Sequence, residues 1–385
     1  MNKREMVTLI DKERVINLLQ EYVRTPSVSG EEQELAEKVK KTCSEIGMDA
    51  EIDKHGNVIA SYKWPKPGPR VNLNAHLDTV GYGEGWTRDP LGAELEGDLM
   101  YGRGSADTKA SLVAQILGTK ALIDANLPLG GEVAITHVVE EEVQNASRKG
   151  TVKLLKDGFT ADMAINGEAT DMKICVACEG MLEILFTTLG RRAHGSNPKE
   201  GINAIVQMCK IIDELGKLQP GYNKYTGYGS IVPGVINGGE RSSVVPDVCE
   251  LKVSRFTVPG ETAPLFYSQA LGIIERLKRE DPTFDARAEL LYDSNPSLVA
   301  EDEPVVKGMI AAFQDAFGLE TVELSGTPQH DDADWLTNIG GIPTVIFGPG
   351  QIKVGHIPDE YVDTKEVVKA TEVYALTLYN LLGGA

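Results

Sequence analysis

The chain has 385 residues, 42% of them hydrophobic, and its 57 acidic against 38 basic residues give a formal net charge of −19. That excess disfavours nucleic-acid backbones and anionic membrane surfaces as partners, while the length and apolar content suffice for two hydrophobic cores. The amino-terminal stretch MNKREMVTLIDKERV holds too short an apolar run for a signal peptide and no later segment approaches a membrane span, so a cytoplasmic location is expected.

In chain order, amphipathic helices are expected from Lys12 to Tyr22 and from Glu31 to Ile46, opening an alternation of strands and helices that extends to about residue 178. His55, in KHGN, reads as a turn residue. The segment RVNLNAHLDTV from Arg70 alternates Val71, Leu73, Ala75 and Leu77 with Asn72, Asn74, His76 and Asp78, the pattern of a half-buried strand with His76 and Asp78 on one face. A ligand histidine commonly hands its second ring N–H to a carboxylate, and Asp78 is spaced for that; alone, such a pair is ordinarily a polar strand end. YGRGSADTKASLVAQILG, from Tyr101, is a glycine-punctuated loop leading into a helix with Leu112, Val113, Ile116 and Leu117 on one side. Asp107 therefore falls just before the helix start, where an Asp often caps. Gly102 and Gly104 lack the third glycine of a dinucleotide loop.

EVAITHVVEEE, from Glu132, is a β-branched strand with His137 packed inside it and Glu140, Glu141 and Glu142 at its end. Such a run is a solvated acidic turn unless it is buried, and then it requires cations. DMAINGEAT, from Asp162, delivers Glu168 at the end of another short apolar strand. Cys175 and Cys178 form one C-x-x-C in a strand-like stretch; with five cysteines in all and no second pair, they read as buried thiols.

The pattern then changes to a strand at 181–189, a helix at 202–217, strands near 230–237 and 245–255, a helix at 262–279 and a strand at 285–292. This β-α-β-β-α-β order is the ferredoxin-like arrangement. Because helix and strand alternation resumes after Asn295-Pro296, residues 179–294 are expected to be an insertion into a larger domain made of 1–178 and 295–385. His194, in GRRAHGSNPKEGINAI, ends the first inserted strand. In QHDDADWL, Asp331, Asp332 and Asp334 read as surplus caps of a helix start, although His330 beside them could bind metal. GIPTVIFGPGQIKVGHIPDEY, from Gly341, is a strand and a Gly-Pro-Gly turn followed by His356.

Each segment has an ordinary explanation. Yet all five place His76, Asp107, Glu142, Glu168 or His356 at or just beyond the carboxyl end of an expected strand, or at the next helix start, the edge where open α/β sheets bind ligands. Two histidines and three carboxylates make two adjoining metal sites if one carboxylate bridges. In these residues, their order and their spacing over nearly the whole chain, the sequence resembles the M20 metallopeptidases and deacylases, which include acetylornithine deacetylase, succinyl-diaminopimelate desuccinylase and glutamate carboxypeptidase.

The resemblance implies an α/β metallopeptidase-like catalytic domain, a mixed sheet flanked by helices, with the inserted ferredoxin-like α+β domain as a lid that also dimerises. It implies that His76 and Glu168 hold one divalent ion and Glu142 and His356 the other, with Asp107 bridging them and followed by a cis peptide. Asp78 would orient His76 and Glu141 would be the general base. In the lid, His194 would reach a neighbouring subunit's site to stabilise an oxyanion, Arg255 would hold a substrate carboxylate, and Ser243, where many relatives carry Asn, would touch substrate. Ala110 and Ala169 also depart from the common pattern and leave the ligand set intact, whereas Ser254, before Arg255 where Asp is common, bears with Ser243 on substrate identity.

The activity so implied is metal-dependent hydrolysis of a linear amide, that of an N-acyl amino acid in the manner of acetylornithine deacetylase. A dipeptidase or carboxypeptidase is the close alternative, and a non-catalytic metal-holding relative is a third reading. Two divalent ions are expected, Zn²⁺ foremost with Co²⁺ or Mn²⁺ as alternatives, with an N-acyl amino acid or short peptide and a second copy of the chain as partners.

Overall fold

In the computed structural model, which describes residues 2–143 and 149–383, the chain divides into two units. One comprises Met1–Ala177, Leu298–Gly326 and Asp331–Ala385; the other comprises Cys178–Ser297 and Thr327–His330. The short return of Thr327–His330 to the second unit lies outside the expected insertion.

After a short helix at Lys3–Val7, the first unit continues with the helix Lys12–Arg24, whose start is fixed by the Asp11 carboxylate accepting from the N–H groups of Glu13 and Arg14. Val15, Leu18, Leu19, Tyr22 and Val23 recur at helical spacing and form its buried stripe. Behind it stands a mixed sheet in the order Asp49–Ile52, Val58–Lys63, Gly130–Val138, Lys66–His76, Met163–Asn166, Thr344–Ile346, Ile174–Cys178. The strands Gly130–Val138, Lys66–His76, Met163–Asn166 and Thr344–Ile346 run parallel. Their carboxyl ends therefore share one edge, with His76 opposite Val138 and Asn74 opposite Asn166.

Two expectations change here. The strand bearing His76 spans Lys66–His76 rather than Arg70–Val80, and it is buried on both faces: Asn72 and Asn74 are as inaccessible as Val71 and Leu73. Its alternation records a polar interior instead of a wet face. Thr136 Oγ1 donates to Asn72 Oδ1 (3.0 Å) and Asn74 Oδ1 (2.8 Å), and Asn74 Nδ2 donates to Asn166 Oδ1 (2.9 Å) and Asp332 Oδ2 (3.2 Å). A parallel strand covered on both sides can keep such side chains only if they satisfy one another. Similarly, the helix Ala110–Asp124 is buried nearly all round instead of on one side, including Ser111, Gln115 and Thr119. It packs on the helix Thr364–Leu382, so closely that a Cβ on Gly118 would meet Tyr374 Cβ at 2.9 Å.

The second unit has a four-stranded antiparallel sheet in the order Ser230–Gly238, Val248–Thr257, Gly180–Leu189, Asp285–Asp293. With the helices Ala204–Leu215 and Ala263–Glu280 between these strands, the topology is ferredoxin-like. Ile184, Phe186, Leu251 and Val253 from the sheet pack with Met208, Ile211, Phe266 and Ile273 from the helices as its core. Among the described residues, no helix is long and apolar enough to cross a membrane.

Candidate metal centre

Two parallel strand ends, carrying His76 and Glu168, and three loops, carrying Asp107, Glu142 and His356, bring the expected residues together within the first unit. His76 closes its strand, and its Nε2 lies 3.1 Å from Asp107 Oδ1 and 3.7 Å from Glu168 Oε1. His356 Nε2 lies 3.2 Å from Asp107 Oδ2 and 2.8 Å from Glu142 Oε1. Asp107 thus offers one carboxylate oxygen to each histidine. The donor atoms of His76, Asp107 and Glu142 all fall within 4.8 Å of one another.

Local backbone geometry explains how the chain delivers these groups. Asp107 is non-helical (φ −120°, ψ 90°), is followed by a cis peptide to Thr108 as the resemblance implies, and makes no capping bond to the helix that begins at Ala110. Its carboxylate is turned to the histidines instead. Glu140 (φ 55°) and His356 (φ 64°) both occupy the left-handed region, sparsely populated for side chains of their size. Such conformations persist where surrounding contacts over-determine them, and here they re-aim the chain at each end of the Glu142–His356 pair.

The electrostatics call for cations. Burial raises Glu141 and Glu168 well above the ordinary carboxylate range, and burial with the nearby Asp107 raises Glu142. Burial opposes charge on His76, yet Glu168, Asp107 and Asp78 together lift its imidazole well above the usual value. Hydrogen bonds to Asp107 and Glu142 push His356 up to about 10. For Asp107 the two histidines outweigh burial and hold the carboxyl below its usual range. The imidazoles thus gather protons to offset a crowd of carboxylates, the place a divalent ion takes when it binds deprotonated ligands. Glu168 Oε1 is buried and, among the described residues, has no hydrogen-bond partner. An orphan acceptor beside His76 Nε2, within a set of imidazole and carboxylate donors, fits a metal of the zinc type.

Asp78 lies beside His76 and also holds a second element. The shorter contact of His76 Nδ1 is to the Asp78 backbone oxygen at 2.9 Å, with the carboxylate Oδ1 at 3.4 Å. The Asp78 carboxylate also accepts from the backbone N–H groups of Glu141 and Glu142, both at 3.0 Å, and from Ser29 Oγ at 2.7 Å. It sets the acidic turn as well as the histidine.

In the second unit, Arg255 lies on the strand Val248–Thr257. It shares the helix-covered face with Leu251 and Val253, is 3% exposed, stacks over Phe266 and meets Glu261 and the Ser230 carbonyl. Its Nε is buried without a hydrogen-bond partner among the described residues. Glu261 in turn accepts from Gly221 N (3.0 Å), so the pair anchors the hairpin of Tyr222–Asn223 and Gly227–Tyr228. His194 and Ser243 are exposed neighbours, with His194 opposite Val244 and Gly195 N donating to Ser243 O at 2.7 Å.

The remaining histidines have structural surroundings. His55 Nε2 meets Asp157 at 3.1 Å, and His137 is fully buried with Nε2 3.0 Å from Gln115 Oε1. His330 packs edge-on against Tyr292. Asp331 and Asp332 are buried: Asp331 Oδ1 accepts from Ala333 N and Asn166 Nδ2, and Asp332 Oδ2 accepts from Asn74 Nδ2 and Thr151 Oγ1. Cys175 and Cys178 are buried thiols, Cys178 Sγ lying 3.1 Å from Ser297 Oγ, and burial pushes Cys175 up to about 12. Sequence reasoning passed over Arg103 and Glu360, a buried ion pair (2.6 Å) behind the centre. The only local signal is a charged residue in each of two glycine- and proline-rich loops that already carry candidate ligands.

Comparison with known proteins agrees with this geometry. The family described as peptidase family M20/M25/M40 matches residues 72–380. The N-formyl-4-amino-5-aminomethyl-2-methylpyrimidine deformylase of Bacillus subtilis is 27% identical over 350 residues, 82% of this chain and 81% of that protein. The acetylornithine deacetylase of Salmonella typhimurium is 25% identical over 95% of this chain and 97% of its own length. Among solved structures, the aminopeptidase PepT of Bacillus cereus shares the fold with a TM-score of 0.81 at 21% identity, covering 97% of this chain and 99% of that one. The chain belongs to peptidase family M20/M25/M40 and is a metal-dependent hydrolase of amide bonds.

Proposed function

We propose that this hydrolase removes a small acyl group from the nitrogen of an amino acid, in the manner of acetylornithine deacetylase. The observation that carries the two-metal reading is the paired arrangement itself: His76 with Glu168, His356 with Glu142, and Asp107 offering one oxygen to each pair. His76, Glu168 and Asp107 would hold one divalent ion, and Glu142, His356 and Asp107 the other, Zn²⁺ foremost and Co²⁺ or Mn²⁺ as alternatives. When bound, the ions would supply Lewis acidity to the scissile carbonyl and lower the pKa of a bound water.

The protein residues do the rest. Glu141 is held next to a ligand by the Asp78 carboxylate, and burial raises its proton affinity. It takes a proton from the attacking water and returns it to the departing nitrogen, the role of a positioned general base and acid. His194 Nδ1 accepts from Ser196 N at 3.2 Å and faces Ser196 Oγ at 2.8 Å, which favours the tautomer carrying its proton on the exposed Nε2. That N–H, from a second copy of the chain, donates to the developing oxyanion. Ser243 beside it contributes to substrate choice. The homodimer is supported by the edge strand Ser230–Gly238, whose Val232, Val235 and Ile236 are about half exposed (45%, 50% and 49%), an edge that pairs readily with its own copy.

Two curated relatives are named for removing formyl and acetyl groups, which favours deacylation over the dipeptidase or carboxypeptidase alternative. The test is primary-amine release from N-acetyl and N-succinyl amino acids and dipeptides, with zinc- or cobalt-loaded protein beside chelated protein. Metal-dependent release from N-acetylornithine or its neighbours is expected. Cleavage of dipeptides alone would move the protein to the peptidase reading, and silence across the panel with two ions bound would overturn the deacylase.

A further inference from the structure

We propose that the buried pair Arg103–Glu360 is a positioning device that sets the bridging Asp107 and His356 together, and so determines how tightly the second metal ion is held. The inference rests on the reading of Asp107 and His356 as ligands.

Both side chains are removed from solvent, Arg103 at 2% and Glu360 at 0% exposure. Glu360 Oε2 accepts from Arg103 Nη1 at 2.6 Å. Its other oxygen, Oε1, accepts from the backbone N–H groups of Ala106 (2.9 Å) and Asp107 (3.1 Å). Arg103 Nη2 donates to the His356 carbonyl (3.3 Å) and the Tyr82 carbonyl (3.3 Å), and Nη1 also reaches the Ile357 carbonyl (3.3 Å). One carboxylate thus grips the backbone of Asp107, and the guanidinium bound to it grips the backbone of His356. The antiparallel pairing of Leu99–Tyr101 with Tyr361–Asp363, and Gly102 N donating to Glu360 O at 2.9 Å, bring the two loops into register around the pair.

Stability does not explain these charges. A buried ion pair costs its full desolvation, and apolar residues of equal volume commonly serve as well or better. What an apolar pair cannot do is hold N–H and carbonyl groups of two separate loops in fixed relation, and a planar fork with several donors is suited to that. The backbone it holds is unusual on both sides: Asp107 breaks the surrounding helical geometry and His356 has φ 64°. Asp107 and His356 are 249 residues apart in the chain, so nothing local fixes the 3.2 Å between their donor atoms. The pair is neutral as a unit and acts through hydrogen bonds to main chain.

The experiment is Zn²⁺ titration calorimetry of the metal-free full chain, with melting temperature measured alongside, for wild type and Glu360→Gln. The variant is expected to bind one equivalent as wild type does and the second roughly 10- to 100-fold more weakly, with activity recovered by excess Zn²⁺. Unchanged affinity for both equivalents, or equal weakening of both in step with a lower melting temperature, would overturn the proposal in favour of a purely structural pair. Should Glu360→Gln not fold, Arg103→Lys keeps the charge but removes the fork; selective weakening of the second equivalent supports the proposal and unaltered binding overturns it. Wild type that binds no Zn²⁺ would instead remove the metal reading, and the proposal with it.

Discussion

The two halves of the candidate centre are built by different means. His76 and Glu168 stand at the ends of neighbouring parallel strands, 1% and 3% exposed. His356 has a side chain 53% exposed and stands on a left-handed turn, and Glu142 follows a strand by four residues, past another left-handed residue, Glu140. The first half inherits its geometry from the sheet, where packing fixes rotamers. The second depends on loops and on polar clamps: Asp78 on the N–H groups of Glu141 and Glu142, and Arg103–Glu360 on Asp107 and His356. The difference teaches that one ion should be held by the fold and the other by adjustable loops, where substrate can reach it.

The largest expected effect lies at the junction of the halves. Glu141→Gln should lower kcat by roughly 10²- to 10⁴-fold, the usual contribution of a positioned acid–base, while calorimetry still finds both metal equivalents. A rate near wild type would sink its assignment as base. Next come the histidines, which rank the halves directly. His356→Ala should retain one equivalent at wild-type affinity, whereas His76→Ala should retain none at that affinity, each loss exceeding the roughly 10- to 100-fold typical of an outer partner. The reverse order in a zinc titration would break the comparison. Asp78→Asn should fall in the range of an outer partner, about 10- to 100-fold in affinity, because one amide oxygen can replace only part of what two carboxylate oxygens accept from Glu141, Glu142 and Ser29. Equal affinity in wild type and Asp78→Asn would show that the turn is held without it.

Much of the strand-borne half can be read in the sequence, because His76 and Glu168 follow apolar runs whose ends must meet at one edge of a parallel sheet. The double burial of the His76 strand is not readable, since alternation of Asn with Val and Leu describes a wet face equally well until Thr136, Asn166 and Asp332 are seen to bond Asn74 in the interior. The loop-borne half is less legible. Glu142 meets His356 across 214 residues and Arg103 meets Glu360 across 257, and no periodicity encodes such contacts. For Arg255, alternation with Leu251 and Val253 already assigns it to the helix-covered face of its strand, but its pairing with Glu261 is not readable from that pattern.

The smallest expected effect tests the floor beneath the strand-borne half. His137, on the strand beside that of His76, is fully buried, and burial lowers its imidazole to about 3. Its folded state therefore binds no proton between about pH 6.5 and 3, whereas the unfolded chain does. By linkage, stability is lost as pH falls through the unfolded value and is restored as it rises. Between pH 7 and 5 the loss from this one group is about 2 kcal/mol. In His137→Gln, which cannot take up a proton, the urea-unfolding free energy of the metal-free protein should fall by about that much less over the same interval. Measuring the metal-free form matters, because bound ions would add their own proton linkage. Parallel pH dependences in the two proteins would mean that His137 is not held neutral. The rigidity ascribed to the strand-borne half would then rest on the sheet hydrogen bonds and the asparagine network alone.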